Sequence, residues 1–215
     1  MAKILSAEVS AFSSNSYLVI EDKGAEAALI DPGGDPDIIS AMIEKSGATV
    51  KYLLATHCHI DHIGAAAEMS RRLGLGLMAG KEDEILLGSH LNEAPGLFGL
   101  PPVEPPEITA YLDRELELRL GDTLLTFLPA PGHSPGSHII RVDRDVIIVG
   151  DVLFRGSVGR TDLTGGDTAT LAKSIEDQIL SLDDETVVYS GHGPSTTVGR
   201  ERRENLVLIQ WGLST

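Results

Sequence analysis

Four times along this chain an apolar run stops and a side chain able to bind metal follows at once. "TVKYLLAT" runs into His57, "DTLLTFLPAPG" into His133, "DVIIVG" into Asp151 and "TVVYSG" into His192. Short, nearly uncharged runs of this kind read as strands covered on both faces of a sheet. Strands that each deliver a polar side chain at one end are the layout of layered α/β folds, whose sites lie where strands give way to loops. Between the strands the pattern is helical. Asp35 is placed to cap a helix, Pro36 fits its first turn and Gly47 closes it. "GAAAEMSRRLG" reads as a second helix, Asp167 starts a third that runs to about Leu182, and a last one covers roughly residues 198–211. "SHIIRVDRDVIIVGD" reads as a hairpin turning at Asp143 and Arg144. Residues 88–110 hold five prolines and three glycines. They read as a long loop, a lid or a surface excursion, with His90 exposed and Phe98 able to cap a pocket.

The 215 residues suit one domain spanning 1–215. A net charge of −15 repels nucleic acid and anionic lipid, so neither is an expected partner. The single cysteine, Cys58, excludes an intramolecular disulfide. The first twenty residues lack the unbroken apolar core of a signal peptide, and no apolar run approaches a membrane span. The expectation is a soluble, cytoplasmic protein.

The densest stretch is "LLATHCHIDHIG", residues 53–64. In an extended segment side chains alternate faces, which puts His57, His59 and Asp61 on one side and Cys58 and Ile60 on the other. His62 lies where the chain turns into a helix. One metal cannot easily take four ligands from so tight a segment, whereas two adjacent metals can. His133, Asp151 and His192 complete the set. A carboxylate can bridge two metals, so Asp151 is the expected bridge. One site is then His57, His59, His133 and Asp151, the other Asp61, His62, His192 and Asp151. Imidazoles and carboxylates without a thiolate suit zinc, with iron and manganese as the other metals of that class. Cys58 is expected to be a small buried apolar side chain.

"THCHIDH", followed in order by "GHSPGS", "GD" and "GHGP", resembles the metallo-β-lactamase superfamily, whose signature is T-H-x-H-x-D-H. The likeness extends from "NSYLV" and "DPGG" to "GHGP", nearly the whole chain. It implies an α/β (α+β) fold, a four-layer αββα sandwich, and the same seven ligands. Within the superfamily, "GDVLFRGSVGRTD" and "GHGPSTTVGRERREN" are most similar to glyoxalase II and its short, single-domain relatives. True β-lactamases of this fold usually lack the bridging aspartate. Long-form glyoxalase II continues into a helical domain that grips glutathione, whereas 23 residues follow His192 here.

The resemblance implies a dinuclear hydrolase of thioesters or esters, of the S-2-hydroxyacylglutathione type. In that scheme two metals roughly 3.5–4 Å apart share a bridging hydroxide that attacks the carbonyl. Asp61 orients the nucleophile and accepts its proton. The alternative is a mononuclear iron persulfide dioxygenase of the same fold, which shares the histidine motif and "GRTD"; the "GHGP" tail favours the hydrolase. Asp31 in "LIDPGG" matches a family position behind the metals, where it orients a ligand imidazole, or it merely stabilises the turn before Pro32. Arg160 in "SVGRTD" matches a position that contacts the substrate's anionic end, or it is locked in an ion pair with Asp162.

Overall fold

The computed structural model describes residues 2–88, 91, 96 and 102–213. His90 and Phe98 lie outside the described residues. Two six-stranded sheets carry the architecture. The first, in order β1 to β6, comprises Lys3–Val9, Ser14–Ile20, Glu26–Ile30, Thr49–Leu54, Leu77–Ala79 and Ile108–Tyr111. Its β1–β2–β3 part is antiparallel and its β3 to β6 part parallel. The second holds β7 (Glu117–Leu120), β8 (Thr123–Pro129), β9 (His138–Val142), β10 (Val146–Gly150), β13 (Val187–Ser190) and β14 (Thr196–Thr197), in the order β14-β13-β10-β9-β8-β7. A small hairpin, β11 (Leu153–Phe154) and β12 (Ser157–Val158), follows Asp151.

Strand alternation sorts the apolar side chains into three cores. Tyr17, Val19, Ala28, Ile30 and Leu54 of the first sheet meet Leu125, Phe127, Ile140, Val142 and Ile148 of the second. Their sequence neighbours point outward: Leu18, Leu29 and Leu53 pack with Ile39, Ile63 and Met69 from the helical layer on one side. Ile139, Ile147, Val149 and Val188 pack with Leu171, Ile175, Val198 and Leu208 on the other. The result is the αββα sandwich. Strands buried on both faces explain why their sequences read as continuous apolar runs. Complete burial of a side chain such as Phe127 contributes about 1.5–3 kcal/mol. No helix among the described residues is long and apolar enough to cross a membrane.

Several local expectations need correction. Asp35 makes no side-chain cap on the helix Pro36–Ser46; it adopts φ 46° and accepts the Ser10 amide at 2.8 Å instead. Gly47 does close that helix, at φ 72°. The third helix ends at Gln178. The last is two helices, Val198–Glu204 and Leu206–Gln210, broken at Asn205. Residues 108–111, read as loop, form an edge strand on β5. The hairpin at Asp143–Arg144 is present, with Asp143 at φ 50°.

Candidate metal centre

The first sheet delivers one half of the centre. Strand β4 ends at Leu54, and residues 55–59 continue without regular structure into a single helical turn, Ile60–Ile63. His57 and His59 therefore lie on extended chain, while Asp61 and His62 lie on the turn. The strict alternation expected through Asp61 does not hold; the turn, not the pleat, aims that carboxylate. The second sheet delivers the other half: His133 follows β8, Asp151 follows β10 and His192 follows β13. All seven side chains converge.

They form two groups, each with ligand atoms within 4.8 Å of one another: His57, His59 and His133, and Asp61, His62, Asp151 and His192. In the first, His133 Nε2 lies 2.9 Å from His59 Nδ1 and 3.2 Å from His57 Nε2. In the second, His192 Nε2 lies 3.0 Å from Asp61 Oδ2, and His62 Nε2 lies 3.3 Å from Asp151 Oδ1. Asp151 Oδ2 is 3.7 Å from His133 Nε2 and 3.6 Å from His192 Nε2, so one carboxylate faces both groups. Gly191 makes this crowding feasible. A Cβ there would sit 2.1 Å from Asp151 Oδ1 and 2.6 Å from His62 Cε1.

The far sides of His62, His133 and His57 are held too. His62 Nδ1 is 3.0 Å from Asp31 Oδ2. Asp31 also accepts the Thr56 amide and hydroxyl, both at 2.7 Å, from a backbone at φ 53°. His133 Nδ1 donates to the Arg160 carbonyl at 2.8 Å, and His57 Nδ1 contacts Thr56 Oγ1 at 3.1 Å. Such partners fix the ring and its tautomer. The Arg160 side chain turns away to Asp162, with two contacts of 2.7 Å.

The electrostatics suit cations. Burial pushes His57, His59 and His133 down, His59 to about 3, which leaves neutral imidazoles with free lone pairs. Burial works to raise Asp61, but His62 and His192 outweigh it and hold the group ionised. Burial opposes a charged His62, yet Asp151 and Asp61 raise its pKa. His62 Nε2 and Asp151 Oδ1 are buried and face each other at 3.3 Å without a well-formed hydrogen bond, a costly arrangement that a coordinated metal would relieve. Three imidazole nitrogens about 3 Å apart, with few protons to share, call for the same partner.

One acid escaped the sequence reading. Asp83, fully buried, accepts hydrogen bonds from the Cys58 amide, the Gly136 amide and the Ser134 hydroxyl. It follows the short strand β5 closely, so the rule that strand ends deliver site residues reaches it. Cys58 is 1% exposed and packs in the core under the helices. The centre opens onto a cavity of about 900 Å³ whose walls include Phe12, Ile60, Phe154, Val158 and Leu163.

Among known families, the profile described as Metallo-beta-lactamase superfamily matches residues 9–192. Hydroxyacylglutathione hydrolase GloC of Haemophilus influenzae is 38% identical over 200 residues, spanning 92% of this chain and 93% of that protein. The crystal structure of BLEG-1 B3 metallo-beta-lactamase superposes with a TM-score of 0.88 at 34% identity, over 96% of this chain and 99% of the other. TTHA1623 in a di-iron-bound form superposes with a TM-score of 0.84 at 35% identity, over 95% of this chain and 100% of the other.

Proposed function

This chain belongs to the metallo-β-lactamase superfamily of metallo-hydrolases, and from that premise we propose that it is a dinuclear thioester hydrolase of the hydroxyacylglutathione type. The observation that carries the reading is the pair of ligand groups with Asp151 between them at the floor of one cavity. His57, His59 and His133 would hold one divalent metal and Asp61, His62 and His192 the other, with Asp151 facing both. Zinc is the favoured metal by ligand type; iron is the second choice, supported by the di-iron form of TTHA1623. Residues 1–215 act as one domain, in the cytoplasm.

Two metals bound there would supply Lewis acidity to the carbonyl and lower the pKa of a water to about 7. The rest is the work of the chain. Asp61, kept ionised, orients the attacking water and takes its proton. The water oxygen adds to the thioester carbon, the carbon–sulfur bond breaks, Asp61 passes the proton on to the departing sulfur, and the products are a carboxylic acid and a thiol. Asp31, Thr56 and the Arg160 carbonyl keep His62, His57 and His133 from rotating. The GloC relative supports a glutathione-linked thioester. BLEG-1 favours a second substrate, a β-lactam amide, for the same water.

The experiment is metal analysis joined to turnover on S-lactoylglutathione, other thioesters and a β-lactam. The expected result is two metals per chain and thioester hydrolysis, with Asp151→Ala losing both together. Full hydrolysis by metal-free protein overturns the scheme. One iron per chain with oxygen uptake on a persulfide replaces it with the dioxygenase.

A further inference from the structure

The described wall of the cavity beside the centre is mostly apolar, with Ser157, Arg160 and Thr164 as its polar side chains besides the ligands. Ile60 stands between His59 and Asp61 in sequence, and the Phe154 ring lies edge-on to the His192 ring with centroids 6.1 Å apart. Phe12, Val158 and Leu163 continue the wall outward, and Leu163 is 40% exposed at the rim. Arg160 is the one cation among the described lining residues. Its guanidinium is matched by Asp162 through two 2.7 Å contacts, with both side chains more than 60% exposed. A charged arm such as glutathione, with two carboxylates and an ammonium, meets no unmatched cation in this described wall. An apolar arm meets a surface that gains from covering it, in a volume typical of pockets for drug-sized ligands.

We infer that the thioester taken by this site carries an apolar chain, lodged against Ile60, Phe154 and Leu163 while its carbonyl sits over the ligands. The inference rests on the thioester reading above but sets an apolar chain in place of its glutathione-linked substrate. The acyl side and the thiol side of the thioester are both chemically able to bear that chain.

The test uses the metal-loaded protein and two homologous series. One is S-acyl-N-acetylcysteamine from acetyl to octanoyl; the other is S-acetyl thioesters of alkanethiols of the same lengths. Non-hydrolysable S-alkyl thioethers of each length, and S-hexylglutathione, provide calorimetric affinities independent of turnover. Full burial of one methylene corresponds to about fourfold in affinity, so the thioethers and one ester series are expected to improve by up to that factor per carbon. The improving series identifies the side that bears the chain. Leu163→Asp, at a half-exposed position, is expected to flatten the slope while leaving metal content unchanged, and Phe154→Ala to reduce it. A flat dependence on chain length, with S-lactoylglutathione the best substrate, overturns the inference and leaves the thioesterase standing. Chain-dependent thioether binding with no hydrolysis of any thioester does the reverse.

Discussion

Between the loop that carries His57 and His59 and the loop that carries His133 lies the buried carboxylate of Asp83. Its Oδ2 accepts the Cys58 amide at 2.8 Å and the Ser134 hydroxyl at 2.9 Å; its Oδ1 accepts the Gly136 amide at 2.6 Å. Each donor sits within three residues of a ligand, and a hydrogen bond to a charged group is worth roughly 1.5–3 kcal/mol. Asn at 83 would retain one acceptor oxygen and turn an NH2 toward a donor. Asp83→Asn is therefore expected to loosen the His57, His59 and His133 group selectively. Metal analysis and cobalt(II) absorption should report about one metal per chain instead of two, with the Asp61 side still filled. Two metals retained beside a mere loss of stability would make Asp83 plain scaffold. The sequence could name His57 or Asp151 because a ligand's chemistry is written in its residue type and in the strand before it. Asp83 sits in "KEDEILLG", which reads as a short helix with nothing to single out one acid of three, and the Gly136 backbone that packs against it is distant in sequence. Cys58 was legible, since alternation along extended chain turns it to the face opposite His57 and His59.

At the scale of elements, the site depends on loops touching where no side chain fits. A Cβ on Gly33 would stand 1.7 Å from the Asp61 carbonyl oxygen, the same oxygen that accepts the Ser14 hydroxyl at 2.5 Å. The turn after β3 thus abuts the helical turn that aims Asp61. Gly33→Ala is expected to push that turn outward, costing roughly 1–3 kcal/mol by overpacking and weakening the metal held by Asp61 and His62. Urea denaturation and metal content measure the two effects; wild-type values for both would refute the contact. "DPGG" announces a turn, but not what leans on it. The break at Asn205 was equally silent. Apolar spacing continues across it, yet the Asn205 side chain caps the following helix through the Val207 and Leu208 amides and bonds the Ser157 carbonyl and Glu201. Glu201 accepts the Gly156 amide as well. A helix read as one amphipathic rod is in fact a bracket for the β11–β12 hairpin that walls the cavity.

On the scale of the whole molecule, the centre joins two sheets that otherwise meet only through apolar packing and a few polar contacts. His57, His59, Asp61 and His62 belong to the first sheet; His133, Asp151 and His192 belong to the second. The direction of these strands could be read from their polar ends. Their order could not, because β10 pairs with β13 across the intervening helix and hairpin, and nothing local in "TVVYSG" names that neighbour. Metals held at this junction would act as cross-links between the halves of the sandwich. Without them, Asp61 and Asp151 stay half-buried among crowded imidazoles, with His62 Nε2 and Asp151 Oδ1 left only to each other at 3.3 Å. Binding that favours only the folded state adds about 4 kcal/mol per site when free metal exceeds Kd a thousandfold. For a chain of this size each kcal/mol moves Tm by about 2–4 °C. Exhaustive chelation is therefore expected to lower Tm by about 15 °C or more, with stoichiometric zinc restoring it. Asp151→Ala, which removes the ligand facing both groups, should start near the chelated value and respond little to zinc. A melting temperature indifferent to chelator would mean that the two sheets hold together without metal, and the cross-link would have to be abandoned.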